Sequence, residues 1–160
     1  ENILPLTIVP ARVSEEVRAK AEAIARTIVE KLDVIGLLAI EMFLTADGEL
    51  YVNELAPRPH NSGHYTMDAC VTSQFEQHVR AVCNLPLGAT DLLSPVVMVN
   101  ILGEHLAPVL ERIDALPRTA KLHLYGKAES KPKRKMGHLN VLAPSVEEAL
   151  EKIEQLQIWS

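Results

Sequence analysis

The chain has 160 residues, 48% of them hydrophobic, which is enough to bury a core as one domain or as two small ones. A net charge of −5 with only 4% aromatic residues argues against a general nucleic-acid binder. No apolar run reaches the ~18 residues that a membrane helix needs.

There is no signal peptide, and the first residue is Glu rather than Met, which reads as a fragment or a processed start. The two cysteines, Cys70 and Cys83, fall in or beside apolar helical patterns and have no metal or redox spacing. They read as reduced core thiols of a cytoplasmic protein.

In chain order, Ile3–Val9 is a short apolar run closed by Pro10, and it predicts a strand. Ser14 can cap a helix, with Glu15 and Glu16 in its positive first turn. Val17, Ala21, Ile24, Ile28 and Leu32 recur at helical spacing and predict one buried face across Ser14–Leu32. Val34–Leu44 predicts a long apolar strand carrying a single charge, Glu41.

Asp47-Gly48 is the strongest turn dipeptide in the chain and predicts a hairpin whose return strand is Glu49–Glu54. If those two residues form the turn, cross-strand partners have numbers summing to 95, and Glu41 faces Glu54. Two carboxylates would then stand with Cβ atoms roughly 5 Å apart, a repulsive arrangement unless a cation lies between them. Oxygen ligands without cysteine suit Mg²⁺ or Mn²⁺. A three-residue loop with a bulge would shift the register by one. The other reading of the two glutamates is that both point to water.

Leu55–Tyr65 is a loop by its chemistry, with two prolines and a Ser-Gly pair. It holds Arg58, His60, Asn61, Ser62 and His64. His60 and His64 have the spacing of a helical zinc pair, but Pro59 and Gly63 oppose a helix there. An arginine after two metal-type carboxylates fits anion handling; a solvated loop satisfying its own backbone fits equally well.

Ser73-x-x-Glu76 is a capping box that opens a helix to about Cys83, and a subdomain boundary is expected between about residues 86 and 92. Pro95–Leu102 predicts a strand, Leu106–Leu116 a helix, and Ala120–Tyr125 and Leu139–Leu142 two more strands. Ser145-x-x-Glu148 caps a last helix with a core stripe of Leu150, Ile153 and Leu156. Lys127 to Lys135 holds five basic residues between two strands. It reads as a charged hairpin tip that keeps an edge from pairing, or as a phosphate site.

The run NELAPRPHNSGHYTMDACVTSQFEQHVRAV (Asn53–Val82) closely resembles the 5-(carboxyamino)imidazole ribonucleotide synthase family of ATP-grasp enzymes. IVPARVSEE before it and KPKRKMGHLNVL after it look like the same family, so the resemblance spans essentially the whole chain. It implies an α+β fold: residues 1–88 as the C-terminal part of an ATP-grasp domain, an antiparallel sheet with packed helices, and 89–160 as a small α+β C-terminal domain. The implied reaction carboxylates aminoimidazole ribonucleotide with bicarbonate and ATP, through carboxyphosphate, in purine biosynthesis.

By the same resemblance, Glu41 and Glu54 are Mg²⁺ (or Mn²⁺) ligands, and Asn53 accompanies Glu54 at the ATP phosphates. Arg58 matches the arginine that holds bicarbonate. Asn61, Ser62 and His64 line the same end, His60 is the weakest assignment of that loop, and Lys127 and Arg134 grip the ribonucleotide 5′-phosphate. The implied partners are these small molecules, the N-terminal part of the same protein that this chain lacks and, since family members are commonly dimers, a second copy; neither nucleic acid nor membrane is among them. The chain alone is expected not to turn over.

Two alternatives stand beside this reading. One is another ATP-grasp ligase, such as a formate-dependent glycinamide ribonucleotide transformylase. The other is a non-catalytic module that binds sugar phosphates through Lys127 and Arg134.

Overall fold

A computed structural model describes residues 6–159, in which the chain divides into two compact units. Of the described residues, 6–11, 68–70 and 92–159 form the first, and 12–67 and 71–91 the second. Both combine antiparallel strands with helices, which is the expected α+β class.

The first unit is built on a four-stranded antiparallel sheet. Its strands are β1 (Leu6–Val9), β4 (Val96–Leu102), β5 (Ala120–Leu124) and β6 (Lys135–Leu142), in the order β1-β4-β6-β5. The part of the expected first strand before Leu6 lies outside the described residues. Val97, Val99 and Ile101 of β4 and Leu139 and Val141 of β6 share one sheet face and form the main core. Val109 of α4 (Gly103–Glu111) and Val146, Ala149 and Ile153 of α5 (Val146–Gln155) complete it. Ser145 caps α5 as expected, its Oγ accepting from the Glu148 N–H at 3.2 Å.

The opposite sheet face is buried too, and it is polar. Met98, Asn100, His138 and Asn140 are all closed off from solvent there. Asp68 of the short helix α2 (Thr66–Ala69) meets that face. Its Oδ2 accepts from Asn140 Nδ2 at 2.6 Å and lies 2.8 Å from His123 Nε2. A central strand buried on both faces reads as a nearly continuous apolar run, which is how β4 appears in the sequence, Asn100 being its one polar residue.

The second unit holds α1 (Glu15–Lys31), α3 (Gln74–Val82) and the hairpin of β2 (Ala39–Leu44) and β3 (Leu50–Ala56). Ser14 and Ser73 cap their helices, each side chain accepting an N–H three residues on.

Several expectations are corrected. The strand expected over Val34–Leu44 begins only at Ala39. Gly36 has a positive φ of 112° and the Leu37 N–H donates to His78 Nδ1 at 3.1 Å, so that backbone is tied to α3 and not to a sheet. No residue of α1 is buried; its stripe is half-covered and Leu32 is 57% exposed as the C-cap. Cys83, the C-cap of α3, is exposed rather than a core thiol, whereas partial burial raises the Cys70 thiol above its ordinary range. The helix expected over Leu106–Leu116 starts at Gly103 and gives way after Glu111 to a 3₁₀ turn, Ile113–Ala115. β6 starts at Lys135, four residues earlier than expected, because Lys135 and Gly137 pair with β4 despite the charged composition.

Candidate active-site residues

The hairpin brings Glu41 and Glu54 face to face by a route that differs from the expected one. Its connection is a three-residue loop, Ala46-Asp47-Gly48, and not a two-residue turn. The Thr45 N–H donates to the Glu49 carbonyl at 2.9 Å, the Gly48 N–H donates to the Thr45 carbonyl at 3.1 Å, and Gly48 takes the left-handed φ of 85° such a loop needs. The register is therefore shifted by one: Leu44 pairs with Leu50, Phe43 with Tyr51 and Met42 with Val52. An irregularity between Glu41 and Met42 then leaves Asn53 as an extra residue, and Glu41 pairs with Glu54 after all. Two offsets of one residue cancel.

One ligand atom each from Glu41, Glu54 and His60 lies within 4.8 Å of the others. His60 Nε2 is 3.4 Å from Glu41 Oε1, and its Nδ1 is 2.9 Å from Ser62 Oγ. Glu41 Oε2 also accepts from Asn53 Nδ2 at 3.4 Å. A hydrogen bond on the far nitrogen fixes an imidazole's orientation, and the same holds for a carboxylate bonded on its far oxygen. This donor set fits a hard divalent ion on the carboxylate side, with an imidazole that Mn²⁺ also accepts.

The loop after β3 is held by one side chain that the sequence did not flag. Gln74 Oε1 accepts from the His60 N–H at 2.9 Å, and its Nε2 donates to the His60 carbonyl at 2.8 Å. The same Nε2 is 2.8 Å from His64 Nδ1. The Gln74 N–H donates to Thr66 Oγ1 at 2.9 Å, and Thr66 Oγ1 donates to the Gly63 carbonyl at 2.6 Å. A Cβ at Gly63 would fall 2.6 Å from Gln74 Oε1, so a larger residue there would have to displace the Gln74 side chain. Within the loop, Asn61–Gly63 forms a 3₁₀ turn that includes Ser62.

His60 and His64 thus have different surroundings. The first joins the two glutamates; the second bonds to Gln74 and stacks on Phe75 at 5.5 Å. Arg58 is exposed, and its Nη1 donates to the Pro59 carbonyl at 3.0 Å.

Lys127 and Arg134 belong to the first unit and are exposed on the β5–β6 connection. Lys127 Nζ donates to the Lys135 carbonyl at 2.6 Å, and Arg134 Nη1 to the Glu129 carbonyl at 3.2 Å. The Lys133 N–H donates to Glu104 Oε2 at 2.8 Å. Backbone N–H groups, its own first and then that of Lys133, hold the Glu104 carboxyl below the usual carboxylate range. The connection is thus tied to the start of α4.

An ATP-grasp domain model matches residues 1–75, and a phosphoribosylaminoimidazole carboxylase C-terminal domain model matches residues 96–152. An N5-carboxyaminoimidazole ribonucleotide synthase of Bacillus subtilis is 56% identical over 152 residues, covering 95% of this chain and 40% of that protein. A crystal structure of the ADP complex of an N5-carboxyaminoimidazole ribonucleotide synthetase superposes with a TM-score of 0.96 at 62% identity, covering 99% of this chain and 42% of that one. The Aspergillus clavatus enzyme in complex with ADP and 5-aminoimidazole ribonucleotide superposes with a TM-score of 0.91 at 40% identity, covering 98% of this chain and 44% of that one. The chain thus spans about two fifths of the length of these relatives.

Proposed function

We propose, from the premise that this chain belongs with the C-terminal portion of the N5-carboxyaminoimidazole ribonucleotide synthase family, that it carries the metal-facing and ribonucleotide-phosphate residues of an ATP- and bicarbonate-dependent carboxylase. The substrate is 5-aminoimidazole ribonucleotide. The observation that carries this reading is the opposed Glu41–Glu54 pair, joined by His60, in a chain with that relationship.

In the reaction, a bicarbonate oxygen attacks the γ-phosphorus of ATP, the bond to ADP breaks and carboxyphosphate forms. The exocyclic amine of the ribonucleotide then attacks the carboxyl carbon, or CO₂ released from it, loses a proton, and phosphate departs. Glu41 and Glu54 would hold Mg²⁺, which supplies charge compensation for the polyphosphate and the transferred group. Asn53 orients the Glu41 carboxylate. Arg58 would turn its guanidinium from the Pro59 carbonyl to bicarbonate, where a planar fork matches a carboxylate-like anion. Asn61, Ser62 and His64 line the same end, positioned by the Gln74 clamp. Lys127 and Arg134 bind the 5′-phosphate. Residues 1–88 are assigned to the ATP-grasp part and 89–160 to the C-terminal domain, and turnover requires the remaining length that the relatives possess.

Bicarbonate must stimulate ATP cleavage by the full-length protein, and formate must not. Stimulation by formate instead would favour a formate-using ATP-grasp ligase. Lys127→Ala is expected to raise the ribonucleotide KM about 10- to 100-fold with kcat nearly unchanged, because a charge-assisted phosphate contact is made equally in ground and transition states. An unchanged KM would remove Lys127 from the phosphate site.

A further inference from the structure

Lys127 follows Gly126, whose φ of 65° turns the chain at the end of β5. Glycine takes that conformation without strain. The turn brings Lys127 Nζ to 5.5 Å from the centroid of the Tyr125 ring, within the range of a cation–π contact.

Tyr125 is itself tied down. Its N–H donates to the Met136 carbonyl at 2.9 Å, and its hydroxyl shares a 2.9 Å hydrogen bond with His138 Nδ1. His138 is 1% exposed, and its ring stacks on that of His123 at 4.5 Å and 14°. His123 Nε2 in turn meets Asp68 Oδ2, which also accepts from the fully buried Asn140. The line from Lys127 to Asp68 lies within the first unit. Two hydrogen-bonded groups, Tyr125–His138 and His123–Asp68–Asn140, are joined by the ring stack of the two histidines, so a shift of either imidazole disturbs both.

We propose that Tyr125 is a positioning residue that presents Lys127 to the ribonucleotide 5′-phosphate, with its ring set by the His138–His123–Asp68 network. The inference rests on the phosphate-binding reading of Lys127. A lysine ammonium is a point charge on a flexible stem and has three N–H donors. The Lys135 carbonyl takes one of them. The tyrosine face attracts the ammonium through its quadrupole. It consumes no donor and does not neutralise the charge, as a carboxylate would, so two donors remain for phosphate oxygens.

The test is steady-state kinetics of the full-length protein. Tyr125→Leu and Tyr125→Met remove the ring, and either suffices if the other fails to fold. Each is expected to raise the ribonucleotide KM about two- to tenfold, with kcat within about twofold and the ATP KM unchanged. Tyr125→Phe keeps the ring face but loses the hydroxyl bond to His138, so its ribonucleotide KM should fall between those of the unsubstituted protein and Tyr125→Leu. In a Lys127→Ala background, Tyr125→Leu should add nothing further. An unchanged ribonucleotide KM in Tyr125→Leu, or its full factor added on top of Lys127→Ala, would overturn the role of Tyr125 while leaving Lys127 in place. A Lys127→Ala enzyme with an unchanged KM would overturn the phosphate reading, and this inference with it.

Discussion

Replacing Glu41 or Glu54 by glutamine in the full-length protein is expected to lower the rate of ADP formation about 10²- to 10³-fold, the loss typical of removing one preorganised electrostatic group. Glutamine keeps the shape and removes the charge that would hold a divalent cation. The Tm should stay the same or rise slightly, since the two carboxylates repel each other across the strands. Mn²⁺ binding, followed by electron paramagnetic resonance, should weaken in parallel. Retained activity with a lowered Tm would instead make the pair a structural feature of the hairpin.

The second large effect is on stability. Leu139 is 0% exposed and pairs with Val99 on one side and Leu122 on the other, at the centre of the four-stranded sheet. Leu139→Ala removes three buried carbons and leaves a cavity, with an expected cost of about 2–5 kcal/mol. Leu124→Ala serves as the contrast: Leu124 is 46% exposed, and its truncation should cost well under about 1 kcal/mol. Chemical denaturation of the purified chain measures both. Equal losses for the two variants would mean that the sheet centre is not where the stability of this unit lies.

The hairpin shows both the reach and the limit of sequence reasoning. Asp47-Gly48 located the reversal, and Glu41 does face Glu54, but the register near the turn is off by one and returns only through the extra residue at Asn53. No local signal in the sequence marks that irregularity. β4 was legible because a strand buried on both faces is nearly continuously apolar, broken here only by Asn100, and α5 because its serine cap and apolar spacing agree. The start of β6 was not legible, since pairing with β4 overrides the charge at Lys135.

Within the candidate site, residue types and spacing drew attention to Glu41, Glu54 and the loop after β3. The tertiary contacts did not follow from them. Gln74 lies 14 residues beyond His60 and is unremarkable in composition, yet it fixes both peptide groups of His60. The polar face of the first unit has a faint signature in the sequence. His123 on β5, and His138 and Asn140 on β6, fall at the two-residue period of one strand face. A histidine, a histidine and an asparagine on one such face signal a buried network when the opposite positions are already apolar.

The most direct test of the account is ADP release from Mg-ATP by the full-length protein in bicarbonate, with and without 5-aminoimidazole ribonucleotide. Strong stimulation by the ribonucleotide is expected, and it should be lost in Glu54→Gln. ADP release that is indifferent to the ribonucleotide would contradict it.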